Sequence, residues 1–273
     1  MKIDAHTHTH YCPHSSGEHV EKMIQKAIEL EFDEYHITEH PPLPDSFLKK
    51  LYPLEVIPTI TMSEQETDDY IKEMLNLKNR YKDNIKIKVG FEIDYLPEHT
   101  IWTKNFLNEY GKYCDTGLLS IHYLKGNNGW RCVDFNEEDM KEGLVSYYGD
   151  TEKFQLAYYN LVKESIETDL GKYKPNRIGH LTLCNKFKNY IEMEKSNLVD
   201  EKILEILQLI KKQNCVLDFN TAGLYKPYCG EAYPPDDILR IAQKMEIPFM
   251  YGSDAHGVGE VGRGYDFYKA RFE

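Results

Sequence analysis

The sequence predicts an α/β fold, a barrel of about seven β/α units forming one domain over residues 1–273. Strand-like and helix-like patterns alternate along the whole chain, which favours a parallel sheet with covering helices. Histidines and carboxylates stand at the C-terminal end of nearly every predicted strand, and a closed barrel makes such ends converge where an open sheet does not. The 273 residues, 41% of them apolar, are enough for one sizeable core. No internal repeat, low-complexity tract or linker divides them.

Residues 2–5 form a short first strand that opens into His6 and His8, and Val20, Met23, Ile24, Ala27 and Ile28 follow at helical spacing. Residues 34–38 make the second strand, ending at Glu39 and His40. A proline-rich insertion near 41–62 then precedes a helix, whose start is marked by the capping-box pattern from Ser63 to Glu66. Residues 85–93 alternate into a third strand bearing Glu92 and Asp94, and the buried-looking run 117–121 ends at His122. A second insertion near 125–150 carries Trp130, Arg131, Asp134 and two tyrosines. Both insertions read as lid-like loops over a site. Residues 154–166 resume helical spacing, 177–180 form strand five, 198–210 a strongly periodic helix, 216–220 strand six and 248–251 strand seven.

The net charge of −12 argues against a broad nucleic-acid-binding surface, and no run approaches the ~20 apolar residues of a membrane span. The expected partner is therefore a small molecule, with no nucleic acid and no membrane. The six cysteines are scattered without a close pair and no signal segment opens the chain, so reduced thiols in a cytoplasmic protein are expected. Cys12 and Cys184 lie near proposed ligands but read as small space-filling residues.

Side chains two apart in an extended chain share a side, so His6 and His8 can hold one ion together. His40, Glu92, His122, His180, Asp254 and His256 fall at the other strand ends, and His14 lies within reach in the first loop. One histidine at such a place is most often a packed or surface residue; the joint placement is what points to a multinuclear metal hydrolase. Imidazole with a few carboxylates suits zinc, manganese or iron better than calcium or magnesium. His19, His36 and His99 read as structural, while His10 continues the alternation from His8 as a candidate second layer behind the ligands.

The stretches Asp4-Ala-His-Thr-His8, Thr38-Glu-His40, Gly90-Phe-Glu-Ile-Asp94, Ser120-Ile-His122, Arg177-Ile-Gly-His180, Asn220-Thr-Ala-Gly223 with Tyr233-Pro234, and Gly252-Ser-Asp-Ala-His256 span the chain. In them the sequence resembles the polymerase and histidinol phosphatase (PHP) superfamily and, within it, the histidinol-phosphate phosphatases. The resemblance implies a distorted (β/α)7 TIM-like barrel with three divalent transition-metal ions. It assigns His6, His8, Glu92 and Asp254 to the first ion, Glu92 as a bridge to a second held by His122 and His180, and His14, His40 and His256 to the third. It also implies hydrolysis of L-histidinol phosphate, with Glu92, Asp254 and His256 in catalytic roles. Lys186 and Arg263 are candidate phosphate contacts, and Asp94 with the acidic, aromatic insertions a candidate contact for the amine and imidazole. Arg177, three residues before His180 on a strand, is expected to face the opposite side. The alternatives are a PHP phosphoesterase acting on nucleotides or oligonucleotides, and a catalytically silent metal-binding module.

Overall fold

The computed structural model describes residues 1–193 and 195–272. Seven parallel strands pair in chain order: β1 (Ile3–Asp4), β2 (Glu34–Glu39), β3 (Lys86–Asp94), β4 (Thr116–Ser120), β5 (Arg177–Ile178), β6 (Val216–Asn220) and β7 (Phe249–Gly252). The ring closes where Ala5 N donates to Tyr251 O at 2.8 Å, Asp254 N to His6 O at 2.8 Å and His8 N to Ala255 O at 2.9 Å. The strands are unequal: β1 and β5 have two residues each and β3 has nine. A seven-stranded α/β barrel is thus confirmed, and its distortion follows from these short members.

Helices on the outside bury one stripe each. Helix Val20–Glu29 turns Val20, Met23, Ile24 and Ala27 inward, the i, i+3, i+4, i+7 pattern of an amphipathic helix. Helix Glu64–Arg80 begins where Glu66 Oε2 accepts from Ser63 N at 2.8 Å, satisfying a donor that the first turn would leave orphaned. From it Tyr70, fully buried, donates its hydroxyl to Gly90 O at 2.7 Å. Gly90 is required there, because a Cβ would lie 1.9 Å from Thr116 O on the adjacent strand. Helices Thr151–Glu167 and Asn197–Lys212 pack on each other over the later strands. Among the described residues, no helix is long and apolar enough to cross a membrane.

The two insertions, expected as lid-like loops, pair with each other. Leu51–Tyr52 from the first pairs in parallel with Gly129–Cys132, which pairs antiparallel with Tyr123–Gly126. Leu43, Phe47, Leu51, Val56, Ile60, Leu96, Tyr123, Trp130 and Cys132 form a second apolar cluster beneath this small sheet. Aromatic and aliphatic burial therefore joins two segments far apart in sequence into one ordered flap.

Candidate metal centre

Five of the seven histidines proposed as ligands have an oxygen acceptor at Nδ1. His6 Nδ1 lies 2.8 Å from Asp218 Oδ2, His8 Nδ1 3.1 Å from Glu39 Oε1, and His122 Nδ1 2.8 Å from Asp94 Oδ1. His14 Nδ1 donates to Thr59 O at 2.6 Å and His256 Nδ1 to Asp254 O at 3.0 Å. An acceptor at Nδ1 fixes the proton there and leaves Nε2 with a free lone pair, the tautomer a metal ligand needs. Among the described residues, the Nε2 atoms of His6, His8 and His256 are buried without a hydrogen-bond partner. Such orphaned lone pairs converging on carboxylates fit a transition-metal centre.

Glu92 stands at the middle. Its Oε2 is 3.1 Å from His6 Nε2 and 3.4 Å from His8 Nε2, while Oε1 is 2.9 Å from His180 Nε2 and 3.8 Å from His122 Nε2. Asp254 Oδ1 lies 3.2 Å from His8 Nε2 and 3.6 Å from His6 Nε2. Two donors each ~2.0–2.1 Å from one zinc ion stand roughly 3–3.5 Å apart, so these spacings suit shared ions. The donors fall into adjoining sets: His6, His8 and Asp254; Glu92, His122 and His180; and His8, Cys12, His40 and His256.

The electrostatics call for added positive charge. Burial disfavours a charged His6, yet Glu92, Asp218 and Asp254 outweigh it and raise its pKa to about 10. His122 rises to about 9 because Asp94 and Glu92 likewise overcome burial. Burial would raise Glu92 and Asp254, but the surrounding histidines hold both carboxyls well below their usual range. His40 and His256 are pushed well below 6.5, first by burial and then by His8, which keeps them in the neutral ligand form. Supporting groups complete the frame: Ser120 Oγ donates to Glu92 Oε1 at 2.6 Å and Asn220 Nδ2 to Asp254 Oδ2 at 3.0 Å. Asp254 has φ 54°, a left-handed conformation that costs energy in a non-glycine residue and marks a geometrically constrained site.

Eight of the nine predicted ligands fall in these donor sets; His14 lines the same cavity but is in none of them, and Cys12 stands in the third set. His14, His40, Glu92, His122, His180, Asp254 and His256 line one cavity with Ile60, Tyr123, Cys132, Asp134 and Leu183, and His6 and His8 are fully buried beside Glu92 and Asp254. The candidate substrate contacts fare differently. Asp94 is buried and turned toward His122, so it orients a ligand instead of facing the cavity. Lys186 is not part of the lining either; its Nζ lies 3.0 Å from Asp134 Oδ2 and 2.6 Å from Asp134 O, next to a residue that is. Arg263 is paired with Glu260 at 3.0 Å and covers the Tyr225 ring at 4.4 Å, outside the lining. Arg177 does not face away from the barrel: it sits inside, at the floor with His36, Lys88, Thr116 and Met250. The strand ends at Ile178, so alternation does not carry through to His180.

Cys12 is buried as expected, but its Sγ is also within the His8, His40 and His256 set. His10 stacks on His19 at 4.4 Å, and both face Glu73 at 3.6 and 2.9 Å. Their Nδ1 atoms accept from Val20 N and Glu21 N, which leaves each Nε2 facing Glu73, close for His19 and beyond hydrogen-bond range for His10. Sequence reasoning missed Asp218 and Glu39, and named Asp134 only as part of the acidic, aromatic second insertion. Asp218 and Glu39 had a usable signal, since each sits on a barrel strand within two residues of its C-terminal end.

The PHP domain model matches residues 4–222, and a PHP-associated model matches residues 236–271, the segment that supplies β7, Asp254 and His256. A histidinol-phosphatase from Bacillus subtilis (strain 168) is 36% identical over 271 residues, covering 99% of each chain. A crystal structure of a candidate histidinol phosphatase from Listeria monocytogenes superposes with a TM-score of 0.96 at 49% identity, over 98% of this chain and 100% of that one. The fold is shared with a histidinol phosphate phosphatase from Lactococcus lactis complexed with Zn, L-histidinol and phosphate, at a TM-score of 0.70 and 19% identity over 99% and 94% of the two chains. On the extent of these matches, the chain belongs to the PHP domain family and, within it, to the family of the histidinol phosphatases.

Proposed function

We infer that this protein is a metal-dependent phosphomonoesterase that hydrolyses L-histidinol phosphate to L-histidinol and inorganic phosphate, a step of histidine biosynthesis. The observation that carries the reading is a complete donor set, seven histidines with Glu92 and Asp254, in a chain similar over its whole length to a histidinol-phosphatase. In this reading His6, His8, Glu92 and Asp254 hold one ion, Glu92, His122 and His180 a second, and His14, His40 and His256 a third. Zinc, manganese and iron all suit the donors. Divalent ions at such a site supply Lewis acidity toward phosphoryl oxygens and acidify water.

The protein's own groups do the rest. Asp218, Glu39 and Asp94 hold His6, His8 and His122 in one tautomer and one orientation. Glu92 presents one oxygen to each of two donor sets, which fixes their separation. Asp254, steadied by Asn220, is the carboxylate placed to take a proton from the attacking water and return it to the leaving alkoxide, with neutral His256 beside it. Asp134 at the wall offers an anion to a substrate amine or imidazolium, and Lys186 beside it offers a cation to phosphate. Arg263, bound to Glu260, serves the loop after β7.

Phosphate release by metal-replete protein from a panel of monoesters tests the reading. L-histidinol phosphate is expected to give the highest kcat/KM. A preference for nucleotides or oligonucleotide ends would move the protein to the other phosphoesterase reading, and no turnover with full metal content would make it a silent module.

A further inference from the structure

The floor of the barrel, at the end of the strands away from the metal centre, holds a cation that the proposed chemistry does not use. Arg177 is only 2% exposed. Its contacts are poor: NH2 reaches Thr116 Oγ1 at 3.4 Å, NH1 reaches Met250 Sδ at 3.8 Å, and Nε has no partner among the described residues. Among the described residues no carboxylate stands within ion-pair distance of the guanidinium. A buried guanidinium has five donors and no acceptor, and leaving them unmatched costs several kcal/mol. Asp218, Asp4 and Glu92 lie above it in the barrel and attract it only at longer range.

The guanidinium lines a cavity together with His36, Lys88, Thr116, Lys174 and Met250. The charges around this cavity are unbalanced. Lys88 is matched by Glu34 at 2.7 Å, and Asp115 by Lys78 at 2.5 Å. Lys174 Nζ donates to the carbonyls of Ile166 and Thr168 at 2.7 Å each, at the C-terminal end of a helix, and Asp169 attracts it only at longer range. His36 is neutral here, since burial and then Arg177 lower its pKa to about 3. Arg177 and Lys174 thus both line this recess with, among the described residues, no carboxylate at ion-pair distance from either.

We propose that this recess binds a small tetrahedral oxyanion of the phosphate or sulfate class, held by the forked donors of Arg177 at the barrel floor. Parallel N–H donors of a guanidinium match two oxygens of such an ion, and a charge-assisted pair of this kind is among the stronger polar contacts available to a protein. The site is separate from the one that acts on the monoester, and it does not depend on that assignment.

Crystals of the metal-loaded protein soaked in selenate, and separately in bromide, locate the ligand by anomalous scattering. Selenate density bonded to Arg177 is expected. An empty floor at a selenate concentration that fills the metal centre overturns the proposal, and bromide without selenate there overturns the oxyanion class. In solution, sulfate is expected to raise the Tm of the holoenzyme, with the rise reduced in Arg177→Lys, which keeps the charge and loses the fork. The apparent sulfate affinity of that part of the rise should fall about tenfold. Sulfate held at the metal centre stabilises both proteins alike, so an identical rise in wild type and in folded Arg177→Lys also defeats the proposal.

Discussion

His6 Nδ1 and Asp218 Oδ2 lie 2.8 Å apart, and neither side chain is exposed to solvent. The contact fixes the proton on Nδ1 and aims the free Nε2 at Glu92 and Asp254. An amide at position 218 keeps the shape but can turn its NH2 toward Nδ1, which favours the wrong tautomer. Asp218→Asn is therefore expected to weaken metal binding by roughly 10–100-fold, as loss of a group behind a ligand does. Competition with a chelator of known affinity measures it, and unchanged affinity in a folded variant would contradict the role.

Glu92 has a heavier duty, because its two oxygens face two donor sets. Glu92→Gln removes the charge shared between them and is expected to lower metal content by more than one ion, with kcat/KM falling by roughly 10³-fold or more. His99 is a matched control: its Nε2 meets Ser46 Oγ at 3.0 Å, away from the centre. Elemental analysis and phosphate release should leave His99→Gln close to wild type. A Glu92→Gln protein with full metal content would refute the bridge.

The division between what the sequence revealed and what it hid has physical causes. Eight of the nine proposed ligands were legible because each occupies the same place on its unit, the C-terminal end of a strand, and eight coincidences are hard to produce by packing alone; His14, in the first loop, lacked that signal. The strands and helices followed from periodicity, since Val20, Met23, Ile24 and Ala27 or Val199, Ile203 and Ile206 reveal one buried stripe each. The flap was not legible, because Leu51–Tyr52 finds its partner at Gly129–Cys132 and local pattern says nothing about a pairing that distant. Asp94 looked like a substrate contact because its side of the strand was right; only the structure shows His122 in front of it. Arg177 was misread because β5 stops at Ile178 and alternation was extended past its end.

Substrate choice should depend on Asp134. Burial would raise its pKa, but Lys186 and His122 prevail and keep the carboxyl ionised, well below the usual range. A fixed anion at the cavity wall suits the cationic amine or imidazolium of histidinol. Asp134→Asn is expected to lower kcat/KM for L-histidinol phosphate about tenfold or more while changing an aryl phosphate by only a few-fold, since the aryl ester lacks the group being read. Equal losses on both substrates would assign Asp134 to general packing of the flap.

Stability in acid should depend on Glu34. Burial alone would raise its pKa, yet Lys86 and Lys88, each at 2.7 Å, and His36 at 2.6 Å lower it from 4.5 to about 2. A depressed acid contributes stability that is fully present above pH 4.5 and is lost as pH falls toward 2. The lysines are partly exposed, so solvent screening reduces the contribution to about 1–2 kcal/mol. Glu34→Gln should therefore lower stability by that amount at pH 7, and the gap from wild type should close between pH 4.5 and 2. Denaturant titrations across pH measure the gap, and a constant difference would exclude the ion-pair account.

His14 separates capture of phosphate from activation of water. It is exposed, and its Nδ1 is tied to Thr59 O in the flap at 2.6 Å, while its ring lies 4.7 Å from that of His256. It brings one neutral donor to the edge of the centre, whereas Glu92 compensates charge at the middle. His14→Ala is therefore expected to reduce occupancy of the third position by one ion, leave most of the Glu92-linked pair, and weaken inhibition by inorganic phosphate roughly tenfold. Glu92→Ala should instead strip the pair. Cys12, close to the same histidines, allows a partial rescue of the third position by the thiophilic ion cadmium, which the double change of His14→Ala with Cys12→Ser should abolish. Metal content, phosphate inhibition and kcat/KM under one metal supply decide the matter. A His14→Ala protein that has lost its third ion and still binds phosphate as tightly as wild type would show that phosphate is held elsewhere in the cavity, with Lys186 the next group to change.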